Sequence, residues 1–318
     1  DSDWQSLTDI IIIGGGVSGL SAAFQLQQQG VDYTLIEVKA RPGGHIITAH
    51  QDGFVMDGGT FAFARPDEWP LLNDLGLSDA LFHLSSAANK PLAAFKHGTQ
   101  TLTDTLQSKL TGRIIQRMAV TGLGVADDNS GYNVCLENGL AMQAKGVVVA
   151  IPARYAGRLF WKMQPQVAEA LESYHYDDIT RVALGYTEQN KPAKAPQSPP
   201  SVVFSSLNST EHPARVPEGG MLIQAAIRVP LSSTTPEALV QSICTSMGWE
   251  QPSASFVREW GEADPLTITS PPAALRSIND LLPAGVGVAG GCYQFLPLPQ
   301  RTEAARTVAR NVLAAINT

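Results

Sequence analysis

The sequence predicts an α/β protein of two domains, one wound about a parallel sheet and a smaller one with a mixed sheet, and three observations carry that expectation. The apolar strand Asp9-Ile-Ile-Ile-Ile13 breaks at Gly14-Gly15-Gly16 into an amphipathic helix with Leu20, Ala23 and Leu26 on one face, and a second apolar run, Tyr33 to Glu37, ends in an acid. Further short apolar runs at Val147 to Ile151 and from Val286 onward read as strands that return to the same sheet. Between about 160 and 262, the runs Thr180 to Tyr186, Ser201 to Phe204 and Met221 to Ile227 alternate as strands do, with a helix near Pro236 to Met247 to cover them.

The first strand-turn-helix unit is a dinucleotide-binding fingerprint in full context. Gly14 makes the tight turn, Gly16 lets backbone approach a pyrophosphate, and Gly19 allows close packing of helix on strand, with Val17 and Ser18 on the opening turn. The unpaired amides and positive dipole end of that helix favour an anion without a Lys or Arg. Glu37 stands where a carboxylate accepts from the ribose hydroxyls of an adenosine and repels a 2′-phosphate, which favours FAD or NAD over NADP. Farther along, Leu102 to Leu110 reads as a helix and Arg113 to Val120 as a strand entering a meander whose last hairpin turns at Asn138-Gly139. The segment Glu188 to Gly220, rich in Pro and Ser, reads as exposed connections around one short strand.

The residues from Glu37 onward carry a resemblance. The run Glu37-Val38-Lys-Ala-Arg41-Pro42-Gly43-Gly44-His45-Ile-Ile-Thr48 resembles the glycine-pair segment of the flavin amine oxidase and protoporphyrinogen oxidase superfamily, and Phe54-Val-Met-Asp57-Gly58-Gly59-Thr60-Phe61 resembles its next motif. Val286-Gly-Val-Ala289-Gly290-Gly291-Cys292-Tyr293, with Pro299 and the helix Glu303 to Ile316, resembles the closing FAD motif of protoporphyrinogen oxidases. Phe95 to Leu102, Val147 to Pro152 and Trp260 to Pro265 are similar to further landmarks in the same order. The resemblance implies a Rossmann-like FAD-binding domain of the GR2 type, discontinuous over 1–159 and 263–318, and a substrate domain over 160–262. It implies that Val120 contacts adenine through its backbone and that Phe61, Trp260 and Tyr293 line the substrate pocket.

Each matched residue has a physical reading of its own. Gly43 and Gly44 let backbone pass close to phosphates and flavin, and Arg41 offers a bidentate cation to a phosphate or a neighbouring carboxylate, or is a solvated loop charge. The amides of Gly290 and Gly291, just before a helix, could face the flavin and stabilise charge on reduction. Trp260 walls the pocket or packs in the core, and Tyr174 and Tyr176 read as packing residues. Cys292 either attaches flavin covalently or is a small buried thiol. His45 replaces an Arg common in relatives, Phe295 and Pro297 replace glycines, and between Leu84 and Gly98 relatives insert a helical lobe absent here. A large tetrapyrrole pocket is therefore not expected.

Composition narrows the partners. With 318 residues and 44% hydrophobic content, the chain can bury a substantial core. A net charge of −7 without a basic run argues against nucleic acid, and no apolar run approaches the roughly 20 residues that a bilayer requires. Three scattered cysteines suggest neither disulfides nor a zinc site and fit a reducing cytoplasm; no metal is expected, and Asn208-Ser209-Thr210 reads as a chance glycosylation match. The expected partner is a small molecule, with no protein partner legible. The function expected is hydride transfer from a small amine or a C–C or C–N bond to FAD, with oxygen or another acceptor reoxidising it. The alternatives are FAD binding without turnover and redox-neutral flavin chemistry.

Overall fold

The computed structural model describes residues 8–84, 91–127, 129–174, 176–193, 202–228, 234–263, 278–294 and 296–318. The chain opens with strand β1 (Thr8–Ile13), helix α1 (Val17–Gln28) and β2 (Tyr33–Glu37), then the hairpin β3 (Thr48–Gln51) and β4 (Phe54–Asp57). Next come β5 (Phe63–Ala64), α2 (Pro70–Leu75), β6 (Leu81–Leu84), β7 (Leu92–Phe95) and α3 (Gln100–Lys109). Strands β8 (Arg113–Gln116), β9 (Val120–Val125), β10 (Tyr132–Leu136) and β11 (Ala141–Val149) precede α4 (Ala153–Phe160) and α5 (Pro165–Glu172). The second region holds β12 (Asp177–Tyr186), β13 (Val202–Asn208), β14 (Met221–Ile227), α6 (Pro236–Met247) and β15 (Ala254–Ala263). The chain then returns through β16 (Val286–Val288), α7 (Gly291–Gln294) and α8 (Leu298–Ile316).

Five strands run parallel in the order β8, β2, β1, β11, β16, and β10 and β9 extend the lower half of β11 as an antiparallel meander. β1 is almost wholly buried because helices cover both faces, so its four isoleucines run without alternation. On one face α1 and α8 pack over β1, β2 and β11; on the other lie α4 and α5 with Leu159, Phe160 and Leu171. The β10–β11 hairpin turns where expected, with Gly139 at φ +84° and the Asn138 Oδ1 accepting from the Leu140 amide.

Three secondary-structure elements depart from the sequence expectations. Arg113 to Val120 is not one strand: Arg117 takes φ +55°, so β8 ends beside β2 and the chain turns before β9 joins the meander. The strand within Glu188 to Gly220 is seven residues long, because β14 gives it a full ladder of partners. The last helix starts at Leu298, with Pro299 in its first turn, where a missing amide costs nothing. Asp264, Pro265, His175, Phe295 and the side chain of Cys292 lie outside the described residues.

The four-stranded sheet has the order β13, β14, β12, β15. Its outer face packs Val182, Leu184, Ile223 and Ala225 on α6. That helix is capped by Thr235, whose hydroxyl accepts from the Ala238 amide, and is closed by Gly248 at φ +67°. The inner face meets β4 and the small sheet β5–β7–β6 through Phe54, Phe61, Ala94, Ala183 and Leu222. There an ion pair is fully desolvated: Arg215 is 0% exposed and its Nη2 lies 2.7 Å from Asp57 Oδ2. Arg215 also donates to the carbonyls of Phe95 and Val55, while Asp57 Oδ1 accepts from Thr48 Oγ1 and the Thr99 amide.

Removing one member strands a buried charge, so Arg215→Ala should lower the unfolding free energy by about 3–5 kcal/mol. In urea titrations the Arg215→Ala/Asp57→Asn double variant should lose much less than the sum of the singles. Near this pair, burial holds the His212 imidazole below its ordinary pKa, with Glu211 acting upward and Arg215 downward. The unfolded chain therefore takes up a proton at higher pH than the folded one, and stability should fall as pH drops below about 6.5. Denaturation midpoints of His212→Phe should be flatter across that window.

Candidate cofactor site

The carboxyl ends of the parallel strands open onto a solvent-open cleft lined by Gly16, Val17, Ser18, Gly43, Gly44, His45, Ile46, Thr60, Ala150, Ile151, Pro152, Tyr176, Gly290, Gly291 and Arg301. This is the edge at which doubly wound sheets place ligands. Sequence segments separated by most of the chain thus meet along β2, β1, β11 and β16.

The turn after β1 is set by steric limits. Gly14 has φ +104°, and a Cβ there would lie 2.6 Å from the Ala150 carbonyl oxygen; on Gly19 it would lie 1.8 Å from the Gly14 oxygen. Gly16 differs: its φ is −68° and a Cβ would meet nothing nearer than the Gly44 Cα at 3.9 Å, so the space it leaves open belongs to the cleft. The Gly43 amide donates to the Gly15 carbonyl, which draws the glycine pair over the start of α1. Arg41 braces that loop from within, donating to the carbonyls of Pro42 at 2.8 Å and Ile46 at 3.0 Å.

Glu37 is buried, and its Oε2 accepts from the Gly15 amide at 2.6 Å and its Oε1 from the Lys39 amide at 2.8 Å. A carboxylate has about four lone-pair sites, so acceptor capacity remains for two further hydroxyls. Sequence reasoning passed over Gly15, although a Cβ there would press on Glu37 at 3.0 Å. Val38 is 59% exposed beyond the strand end, and Val120 opens β9 half-buried.

Gly58 and Gly59 follow β4 for packing reasons visible in the structure: a Cβ would fall 2.6 Å from the Phe256 ring on the first and 2.0 Å from the His45 carbonyl oxygen on the second. Trp260 stacks on His45 with centroids 4.5 Å apart, carries Lys39 Nζ 5.7 Å over its ring and donates through Nε1 to the Gly58 carbonyl. Pro299 is buried in the first turn of α8.

Two expected pocket residues point elsewhere. Tyr293 is 2% exposed and donates to the Ile151 carbonyl at 2.7 Å, so its ring fills the sheet core. Phe61 is buried beneath the Arg215 guanidinium, 5.2 Å from its centroid. The cleft instead receives Tyr176, read from sequence as a packing residue, and Arg301. Tyr176 accepts from the Ala153 amide and lies under Arg154 at 4.7 Å. Arg301 rests on Gly291, where a Cβ would fall 2.3 Å from its Cζ. The signal for Ala150 to Pro152 was their place at the carboxyl end of a parallel strand; neither Tyr176 nor Arg301 had one.

Two family profiles match the chain, one described as an NAD(P)-binding Rossmann-like domain over residues 12–75 and one as flavin containing amine oxidoreductase over residues 88–263, more than half of the chain. The chain belongs to the flavin containing amine oxidoreductase family. Protoporphyrinogen oxidase 2 of Arabidopsis thaliana is 39% identical over 72 residues, 22% of this chain and 14% of that protein. Coproporphyrinogen III oxidase of Bacillus subtilis is 38% identical over 80 residues, 23% of this chain and 17% of that protein. These alignments therefore span less than a fifth of either relative.

Over the whole fold, the chain is similar to an Exiguobacterium protein provisionally named a protoporphyrinogen oxidase, with a TM-score of 0.77, 14% identity and coverage of 97% of this chain and 99% of that one. It is also similar to cyclohexylamine oxidase from Brevibacterium oxydans, with a TM-score of 0.73, 14% identity and coverage of 98% and 100%. FAD is the cofactor this family implies, and the cleft suits it: the open space at Gly16, the amides opening α1 and the spare acceptor capacity of Glu37 match pyrophosphate and ribose. Among the described residues, no helix is long and apolar enough to cross a membrane.

Gly16→Ala and Gly19→Ala should separate holding the cofactor from holding the fold. Gly19→Ala should cost about 3 kcal/mol or more in thermal denaturation, because its Cβ collides with backbone. Gly16→Ala should stay within about 1 kcal/mol of the parent while retaining at least tenfold less FAD through purification, read from the flavin absorbance.

Proposed function

We propose that the protein is an FAD-dependent oxidoreductase that takes a hydride from a small amine or a C–C or C–N bond, with oxygen or another acceptor completing the cycle. The observation that carries this reading is the cleft at the carboxyl edge of the parallel sheet, lined both by Gly16, Val17 and Ser18 of the fingerprint turn and by Gly290 and Gly291. FAD, when bound, supplies the two-electron acceptor that no protein side chain provides.

In this reading Gly14, Gly16, Val17, Ser18 and Gly19 present the turn and amides for the pyrophosphate, Glu37 and Val38 flank the adenosine ribose, and Val120 offers backbone to adenine. Arg41, Gly43 and Gly44 form the strap over the phosphates; Arg41 acts by fixing the carbonyls of that strap. His45, Gly58, Gly59 and Thr60 border the middle of the cleft, with Gly290, Gly291 and Pro299 at its far end. The strand order supports a direction in this reading, with Glu37 on β2 at the adenosine end, α1 after β1 at the phosphates and the redox end toward β16. Trp260, held by His45 and Gly58, closes the side toward the four-stranded sheet and limits water there. Tyr176 and Arg301 replace Phe61 and Tyr293 as the polar and aromatic lining. The division into an FAD-binding domain of 1–159 with 263–318 and a substrate domain of 160–262 belongs to the same proposal, as does a reducing, cytoplasmic setting.

A second reading, FAD binding without turnover, is favoured by one observation: Phe61 and Tyr293 are packed into cores rather than exposed in the cleft. Anaerobic titration of the flavin band near 450 nm with amines, porphyrinogens and reduced nicotinamides distinguishes the two. Bleaching by one compound class, reversed by air, is the expected result. A flavin that dithionite reduces but none of these compounds bleaches would give the second reading precedence.

A further inference from the structure

A second concavity opens to solvent between α2 and the small sheet β5–β7–β6, and it shares no lining residue with the cofactor cleft. Its charged groups come from three separate segments: Arg65 directly after β5, Lys96 directly after β7, and Asp79 in the short turn Ser78–Ala80. The backbone fixes where each stands. The Arg65 amide donates to the Pro91 carbonyl at one end of β7, and the Lys96 amide donates to the Ala80 carbonyl at the other. The extended chain from Pro91 to Lys96 is about 16 Å long. The two cations therefore approach the concavity from opposite ends, with Asp79 beside the Lys96 end.

None of these three charges is used to hold the fold. Among the described residues, the side chains of Arg65, Lys96 and Asp79 make no ion pair or hydrogen bond, although opposite charges border the same space. Asp74, on the neighbouring helix α2, is by contrast taken by Arg306 at 2.8 Å. Solvated charges are common on any surface, but these ring an apolar floor. Trp69 is buried there and fixed by its Nε1, which donates to Thr302 Oγ1 at 2.9 Å, and Leu72 and Leu81 extend the floor. Asn73 also lines the space; its Oδ1 accepts from Ser78 Oγ at 2.7 Å and keeps a second lone pair.

We infer that this concavity binds an acidic α-amino acid, at a site separate from the cofactor cleft. Two cations and one acid are answered by two carboxylates and one ammonium. Lys96 takes the α-carboxylate, and Asp79 with the Asn73 Oδ1 takes the ammonium beside it. Arg65 at the far end takes the side-chain carboxylate, which suits its planar fork. The methylenes between the charged ends cover Trp69, Leu72 and Leu81, which removes apolar surface from water. A plain dicarboxylate leaves Asp79 facing a like charge, and a single small anion leaves one end of the site unused.

The test is calorimetric titration of the FAD-loaded protein with L-glutamate, L-glutamine, glutarate and inorganic phosphate, repeated on Arg65→Gln and Asp79→Asn, both of which replace exposed side chains. Glutamate should bind, with glutamine, which lacks the second carboxylate, and glutarate, which lacks the ammonium, each roughly tenfold weaker or more. Arg65→Gln should abolish the preference for glutamate over glutamine, and Asp79→Asn the preference for glutamate over glutarate. No glutamate binding at millimolar concentration, equal binding of all three organic ligands, or parental glutamate affinity in both variants would overturn the site. Phosphate binding more tightly than glutamate would overturn the amino-acid assignment. Bleaching of the flavin band by glutamate, unchanged in both variants, would place the amino acid in the cofactor cleft and overturn the second site.

Discussion

The contact between the Gly19 Cα and the Gly14 carbonyl is the constraint on which the rest of this structure depends. There is no room for a single methyl group between them, so α1 sits directly on the end of β1 with its first amides aimed past the sheet. That placement sets the seating of α8 against α1, the hydrogen bond by which the Gly43 loop crosses Gly15, and the anchoring of Glu37 on the Gly15 amide. The cleft is thus a by-product of backbone packing: the glycine turn that borders it near β1 is held by main-chain geometry, and a helix start of this kind favours an anion without a charged side chain.

A second constraint ties the smaller sheet to this frame. Burying Arg215 and Asp57 together removes two charges from water, which is costly unless every donor and acceptor is used. Here the Arg215 carbonyl partners lie on β4 and β7, and the Asp57 partners lie on β3 and at the head of α3. The network therefore fixes the exit of β4, and with it Gly58 and Gly59, against the inner face of the four-stranded sheet. Trp260 completes the join from the other side through the Gly58 carbonyl.

Much of this was legible in the sequence wherever backbone, not side-chain direction, decides. The glycine spacing at 14, 16 and 19, the acid at 37, the parallel strand at 147 and the hairpin at 138–139 all stand where the pattern placed them. Side-chain orientation was not legible. Tyr293 follows a glycine pair that borders the cleft, yet the Ile151 carbonyl just beyond β11 offers its hydroxyl a partner inside the core, and the ring turns there. Phe61 is drawn under Arg215, a residue in a segment that reads as a surface connection. Tyr176, just before β12, and Arg301, in α8, line the cleft because segments far apart in sequence converge there in three dimensions, which no local pattern encodes. The break at Arg117 likewise depends on β2 ending beside it, not on any residue type that signals a turn.

β11 has different neighbours along its two halves: β10 pairs with the first and β16 with the second. The hairpin with β10 is local and can form as soon as both strands exist, whereas β16 and the helix after it come from far along the chain. A ribosome therefore releases a nascent sheet whose upper edge beside β11 is unpaired while the whole second region is still being made. Such an edge is a template for pairing with other chains, and the protein acquires both a finished sheet and a closed cleft wall only after the late strand docks. Chaperone demand and cofactor loading are thereby placed at the same late moment in the life of the chain.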